Sequence, residues 1–159
     1  MVFRVVREGR DPLATTGSFK AGGRFNPPNE LGALYTSLDG TTAVKEVARG
    51  LRQRGVDPDQ FPEGTWWVYE RKLELKSVLD LTDPVVLQKI GIPPSSLTGS
   101  DLTTTREIAA AARERGYEGL LVPSAAVPGS KNVAIFTDKL SARPIVYSSR
   151  PVTLGKKTP

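Results

Sequence analysis

The segment Gly22-Gly23-Arg24-Phe25-Asn26-Pro27-Pro28-Asn29 gathers residue types that can hold an anion. Paired glycines let the backbone approach a ligand closely, and an arginine held there offers a forked donor to a phosphate or a carboxylate. The segment lacks the Lys and Ser/Thr of a P-loop and the spacing of G-x-G-x-x-G. It therefore reads either as an anion site or as an ordinary Gly/Pro loop with a solvated arginine. Tyr35 follows in the next strand-like run and Glu46 in the next helix-like run. Tyr35 suits a half-buried aromatic or a stacking platform. Glu46 lies away from the apolar stripe of its helix, which suits a solvated carboxylate and a cleft-lining one equally. Further along, residues 123–132 carry Ser124 and Ser130, either of which closes a turn or reaches a ligand.

The 159 residues include no histidine and no cysteine. This excludes Ser-His-Asp catalysis, histidine-paired RNA cleavage, His-dependent metal sites, thiol nucleophiles, zinc-thiolate sites and disulfides. Chemistry falls to carboxylates, Lys, Arg, Tyr, Ser and Thr. The 22 Lys and Arg against 17 Asp and Glu give a net charge of +5 and a pI near 9.6, which favours anionic partners. A basic nucleic-acid-binding module without catalysis accounts for that pI, for Trp66-Trp67 and for the Arg-rich stretch at residues 49–54. No helix-turn-helix, zinc or RNP-like motif accompanies it, so direct nucleic-acid binding is not expected.

The elements that must position these residues follow from periodicity. Strands are expected at residues 3–6, 33–37, 65–75, 119–122, 132–136 and 145–147, with the last three as neighbours. Along residues 65–75, Trp67, Tyr69, Leu73 and Leu75 fall on one side. Residues 9–32 show neither helical nor strand periodicity. Helices are expected over residues 42–54, ended by Gly55, and over 84–90, opened by Asp83-Pro84. Thr104-Thr105-Arg106-Glu107 has capping-box spacing and opens an alanine-rich helix closed by Gly116. Without a βαβ rhythm, the class is α+β, a single domain over residues 1–149 with a loose basic tail at 150–159. No run is long and apolar enough to span a membrane, and the opening residues lack a signal peptide's apolar region, so a cytoplasmic protein is expected.

Together, Gly22-Gly23-Arg24-Phe25-Asn26-Pro27, Leu34-Tyr35-Thr36-Ser37, Ala43-Val44-Lys45-Glu46-Val47 and Val122-Pro123-Ser124-Ala125-Ala126 resemble the RES domain, named for its Arg, Glu and Ser. Arg24, Glu46 and Ser124 occupy the naming positions and Tyr35 that of the family's tyrosine. Ser124 is preferred to Ser130 because it follows Val122-Pro123. Phe136-Thr137-Asp138-Lys139 stands where relatives often carry an Asn-Pro and a His.

The resemblance implies a single compact domain with an ADP-ribosyltransferase-like mixed sheet and flanking helices. It implies a toxin of a bacterial toxin–antitoxin pair, partnered by an Xre-type antitoxin, with NAD as substrate and no metal. The reaction is then hydrolysis or phosphorolysis of the nicotinamide–ribose bond, or alternatively mono-ADP-ribosyl transfer to a protein. Glu46 is assigned to the nicotinamide ribose, Arg24 to the pyrophosphate, Tyr35 to stacking on nicotinamide and Ser124 to a hydrogen bond with the ligand. One carboxylate suffices, because nicotinamide leaves neutral and the remaining task is to stabilise an oxocarbenium-like ribose.

Overall fold

In the first strand, β1 (Val2–Arg7), the buried residues Val2 and Val5 lie three apart. They point to opposite faces of the sheet, so each face needs its own cover. The computed structural model describes residues 1–155 and places β1 inside a seven-stranded mixed sheet. Its other strands are β2 (Leu34–Ser37), β3 (Trp66–Lys72), β4 (Val78–Asp80), β5 (Gly119–Pro123), β6 (Lys131–Ile135) and β7 (Ile145–Val152). The spatial order is β4-β5-β6-β2-β1-β3-β7. Only β4 and β5 run parallel, and the chain between them holds α3 (Pro84–Ile90) and α4 (Thr103–Glu114).

The face bearing Val5 carries two separate helical footprints. Helix α2 (Gly40–Gln53) covers Val5, Trp66 and Val68 with Ala43, Ala48 and Leu51. Helices α3 and α4 cover Leu120, Val122 and Ala134 with Leu87, Ala109 and Ala112. Between the footprints the pairings Phe3↔Ser37, Ser37↔Asn132 and Tyr35↔Ala134 put Tyr35, Ser37 and Asn132 on this same face. The opposite face, with Val2, Leu34, Val133 and Ile135, is closed by Leu13, Leu73, Leu75 and Leu140 from irregular chain. Leu120 is fully buried under α4. Leu120→Ala is expected to cost about 2–5 kcal/mol, read as a lower urea midpoint at unchanged slope. A cost under about 1 kcal/mol would contradict this packing.

Several expectations need correction. The strand β7 is not beside β6 but at the far edge, paired with β3 from Lys72↔Ile145 to Trp66↔Val152. Hairpin proximity suggested the first arrangement, whereas pairing with the Trp-rich strand gives the second. The loose tail expected from residue 150 is not found at residues 150–154: Arg150–Val152 finish β7, and Leu154 is buried against the α2 cluster. The lysines at 156 and 157 lie outside the described residues. Strand β3 ends at Lys72 rather than at residue 75: Trp66 and Val68 pack under α2, while Leu73 and Leu75 lie past its end and pack on the other face.

Within residues 9–32 the chain forms a six-residue helix, α1 (Thr16–Ala21), that buries none of its residues. It is tied down instead by the Ser18 hydroxyl on the Ala33 carbonyl at 2.7 Å. Helix α4 begins at Thr103 without a capping box. The Asp101 carboxylate accepts from the Thr103 N–H at 3.0 Å, and the Thr105 hydroxyl turns inward. Strand β4, three residues long, gave no periodic signal. Among the described residues no helix is long and apolar enough to cross a membrane.

Candidate active site

Gly22 ends α1 at φ 70°, a conformation open to glycine, and turns the chain into the Arg24 segment. There Gly23 and Asn26 form an isolated antiparallel bridge, its Gly23 N–H donating to the Asn26 carbonyl at 2.8 Å. The turn so closed puts Phe25 into the core and Arg24 on the other side. Every neighbour holds this turn. The Tyr35 hydroxyl accepts from the Phe25 N–H at 2.9 Å and donates to Asn26 Oδ1 at 2.7 Å. The Thr105 hydroxyl donates to the Arg24 carbonyl at 2.7 Å, and Arg106 Nε to the Gly23 carbonyl at 3.0 Å. The Arg24 guanidinium donates to the Gly99 carbonyl at 2.6 Å.

Burial, and then the like charge of Arg49, lower the Arg24 pKa, while Glu46 opposes both. Arg24 stays a cation throughout the working range. Burial pushes the Tyr35 phenol up to about 12, so it stays neutral. The folded chain therefore keeps a proton that the unfolded chain loses above pH 10. On this account stability falls as pH rises from 10 to about 12. Tyr35→Phe is expected to remove that component of the alkaline loss. At neutral pH it should cost about 1–3 kcal/mol, because the Phe25 N–H loses its partner. Urea midpoints at pH 7 and across the alkaline range measure both effects.

Glu46 comes from α2, whose start is set by Asp39. That carboxylate accepts from the Thr42 N–H and hydroxyl, each at 2.7 Å. All the hydrogen bonds that Glu46 receives converge on Oε1. Ser124 Oγ donates at 2.6 Å, Asn132 Nδ2 at 2.6 Å and the Ala126 N–H, more weakly, at 3.4 Å. Ser124 Oγ in turn accepts from the N–H groups of Ala126 and Val127 at 3.2 and 3.0 Å. The Ser37 hydroxyl donates to Asn132 Oδ1 at 2.7 Å. Ser124 rather than Ser130 thus stands on Glu46, while the Ser130 backbone closes the turn beneath it.

Arg24, Glu46 and Ser124 are brought together, with Tyr35 under the Arg24 turn. The hydroxyls of Tyr35 and Ser124 both donate to protein partners, Asn26 and Glu46. Asn132 and Ser37 were not singled out from the sequence. Their signal was a pair of polar side chains at adjacent strand positions on a face otherwise apolar, visible only once β2 and β6 pair. A groove of about 980 Å³ runs over Val44, Ala48, Val152 and Leu154, rimmed by Lys45, Arg49, Arg52, Arg150 and Glu63, and reaches Ala126; none of Arg24, Tyr35, Glu46 and Ser124 lines it. Among the described residues no cluster of three His, Cys, Asp or Glu side chains is placed to hold a metal ion.

A family model described as RES domain matches residues 1–155. The Probable NAD(+) phosphorylase Rv3189 of Mycobacterium tuberculosis is 34% identical over 118 residues, which cover 74% of this chain and 55% of that protein. NAD(+) phosphorylase MbcT of Mycobacterium bovis is 27% identical over 123 residues, covering 77% of this chain and 66% of that one. The chain thus spans 55% to 66% of the length of these curated relatives. The crystal structure of the M. tuberculosis MbcT-MbcA toxin-antitoxin complex contains the same fold, with a TM-score of 0.83 at 22% identity, over 96% of this chain and 84% of that one.

Proposed function

The chain belongs to the RES domain family, and from that premise we propose that it cleaves the bond between nicotinamide and ribose in NAD. The observation that carries this reading is a single carboxylate, Glu46, fixed on one oxygen by neutral donors and standing near the Arg24 cation. As the bond breaks, its electron pair leaves with nicotinamide, which becomes neutral and needs no general acid. Positive charge develops on the ribose carbon, and a negative charge already in place stabilises it without reorganisation. The oxygen of the acceptor then fills that carbon. Arg24 holds the pyrophosphate in ground and transition states alike. Tyr35 supports the turn that aims Arg24, and its ring borders the nicotinamide end.

The names of the relatives, both NAD(+) phosphorylases, favour inorganic phosphate over water as acceptor. Lys45 and Arg49, which line the groove and make no salt bridge among the described residues, suit such an anion. An uncontrolled NAD-cleaving enzyme endangers its own cell, so a toxin restrained by an antitoxin of Xre type, both cytoplasmic, completes the reading. The toxin-antitoxin complex that shares this fold supports the restraint.

The test is incubation of purified protein with NAD, with and without phosphate, following nicotinamide and the ribose product by chromatography. Release that accelerates with phosphate and yields a phosphorylated ADP-ribose is the expected result. Release indifferent to phosphate names water as acceptor. Release only with lysate, with ADP-ribose found on protein by mass spectrometry, moves the assignment to transfer. No release under any of these conditions overturns it.

A further inference from the structure

We propose that Asn132, with Ser37 behind it, is a positioning residue that decides which oxygen of Glu46 meets the substrate. The inference rests on Glu46-dependent NAD cleavage and concerns a side chain that contributes no charge. A carboxylate only accepts hydrogen bonds, so the amide facing it must present Nδ2, at 2.6 Å from Oε1. That choice turns Oδ1 toward Ser37, whose hydroxyl donates at 2.7 Å. The carboxylate orients the amide, and the hydroxyl locks it.

The backbone beneath is paired on both sides. Asn132 is laddered to Ser37 on one side and to Val122 on the other, inside the sheet. Glu46 arrives from a different element on a long side chain whose terminal torsion is soft. Ser124 reaches the same Oε1 from the turn beyond β5. Two donors from two elements, both at 2.6 Å, triangulate that oxygen, and Oε2 then takes one direction relative to the Arg24 turn. Without Asn132 the remaining donors, Ser124 Oγ and the weak Ala126 N–H, both come from the same turn, and the carboxylate can pivot about them. A Lys or Arg at 132 would orient the carboxylate too, but would neutralise the charge that the reaction uses. An amide orients without neutralising.

The experiment is steady-state kinetics of nicotinamide release for the parent chain, Asn132→Ala, Asn132→Asp and Ser37→Ala, with urea midpoints alongside. Asn132→Ala is expected to lower kcat about 10- to 100-fold with the KM for NAD within about threefold, the signature of lost orientation. Asn132→Asp keeps the size but removes the donor and sets a second anion against Glu46, so it should fall at least as far. Ser37→Ala releases only the lock and should lose less than Asn132→Ala. Introduced into Glu46→Gln, Asn132→Ala should add little further loss. A kcat for Asn132→Ala within twofold of the parent, or a loss that multiplies in full onto Glu46→Gln, overturns the proposal. So does a loss carried by KM alone. Should Asn132→Ala fail to fold, Asn132→Asp and Ser37→Ala decide by the same criteria. A parent chain that releases no nicotinamide sinks the NAD reading itself, an outcome distinct from an active parent indifferent to residue 132.

Discussion

Glu46→Gln is expected to slow nicotinamide release by about 10²- to 10³-fold, equivalent to about 3–4 kcal/mol of transition-state stabilisation, while KM for NAD changes little. The choice of glutamine isolates charge from shape. Its Oε1 can still accept from Ser124 Oγ and Asn132 Nδ2, the two short bonds that hold the native side chain. Alanine would instead strand both donors and confuse a local collapse with the loss of a charge. In the ground state the ribose near Glu46 carries little of the positive charge it acquires as nicotinamide departs, so binding should be nearly unaffected. The measurement is kcat and KM from initial rates, with the urea midpoint of the variant near that of the parent. A Glu46→Gln protein with parental kcat would remove Glu46 from the chemistry. A loss entirely in KM would place it in ground-state binding instead.

Residues that work through local patterns were legible in the sequence. Glu46 stands off the apolar stripe Ala43, Val44, Val47, Ala48 and Leu51, a pattern that left a solvated and a cleft-lining carboxylate equally open, and α2 presents it to Ser124 and Asn132. For Arg24 and Ser124 the local pattern left an ordinary loop and a turn closure open, and the resemblance to the RES domain singled them out. What the pattern could not carry was pairing over long separations. Asn132 and Ser37 are 95 residues apart and acquire meaning only when β2 and β6 join. Nothing local revealed that the Phe25 N–H and Asn26 would occupy the Tyr35 hydroxyl. Likewise β7 crosses to the far edge because β3 offers it a partner, a choice made by the whole sheet. Local chemistry names the charged members of the site, and the sheet's register supplies the neutral ones that aim them.

Gly23→Ala should reduce kcat/KM for NAD about as much as Arg24→Ala, although residue 23 contributes no side chain to any ligand. Arg24→Ala removes charge-assisted contacts worth about 1.5–3 kcal/mol, a loss of about 10- to 150-fold that falls mainly on KM. A Cβ on Gly23 would overlap the Tyr35 hydroxyl and lie 2.6 and 2.7 Å from its Cζ and Cε2. The ring cannot retreat, since its hydroxyl is bonded to Phe25 and Asn26 and its body packs against the α4 cluster. The turn must lift instead, and it takes the Arg24 guanidinium with it. A displacement near 1 Å is enough to lose about 10²-fold in rate. The same shift should cost about 1–3 kcal/mol of stability through overpacking. Because both substitutions disable one contact, Arg24→Ala added to Gly23→Ala should be far from additive. Gly17→Ala in α1 supplies the control. Its new Cβ meets nothing within 4 Å, so activity should stay parental, and helix propensity should add up to about 1 kcal/mol of stability. Parental kinetics in Gly23→Ala would mean that the turn gives way without moving Arg24, and that its four fixed hydrogen bonds to Tyr35, Thr105 and Arg106 are not what aims the guanidinium.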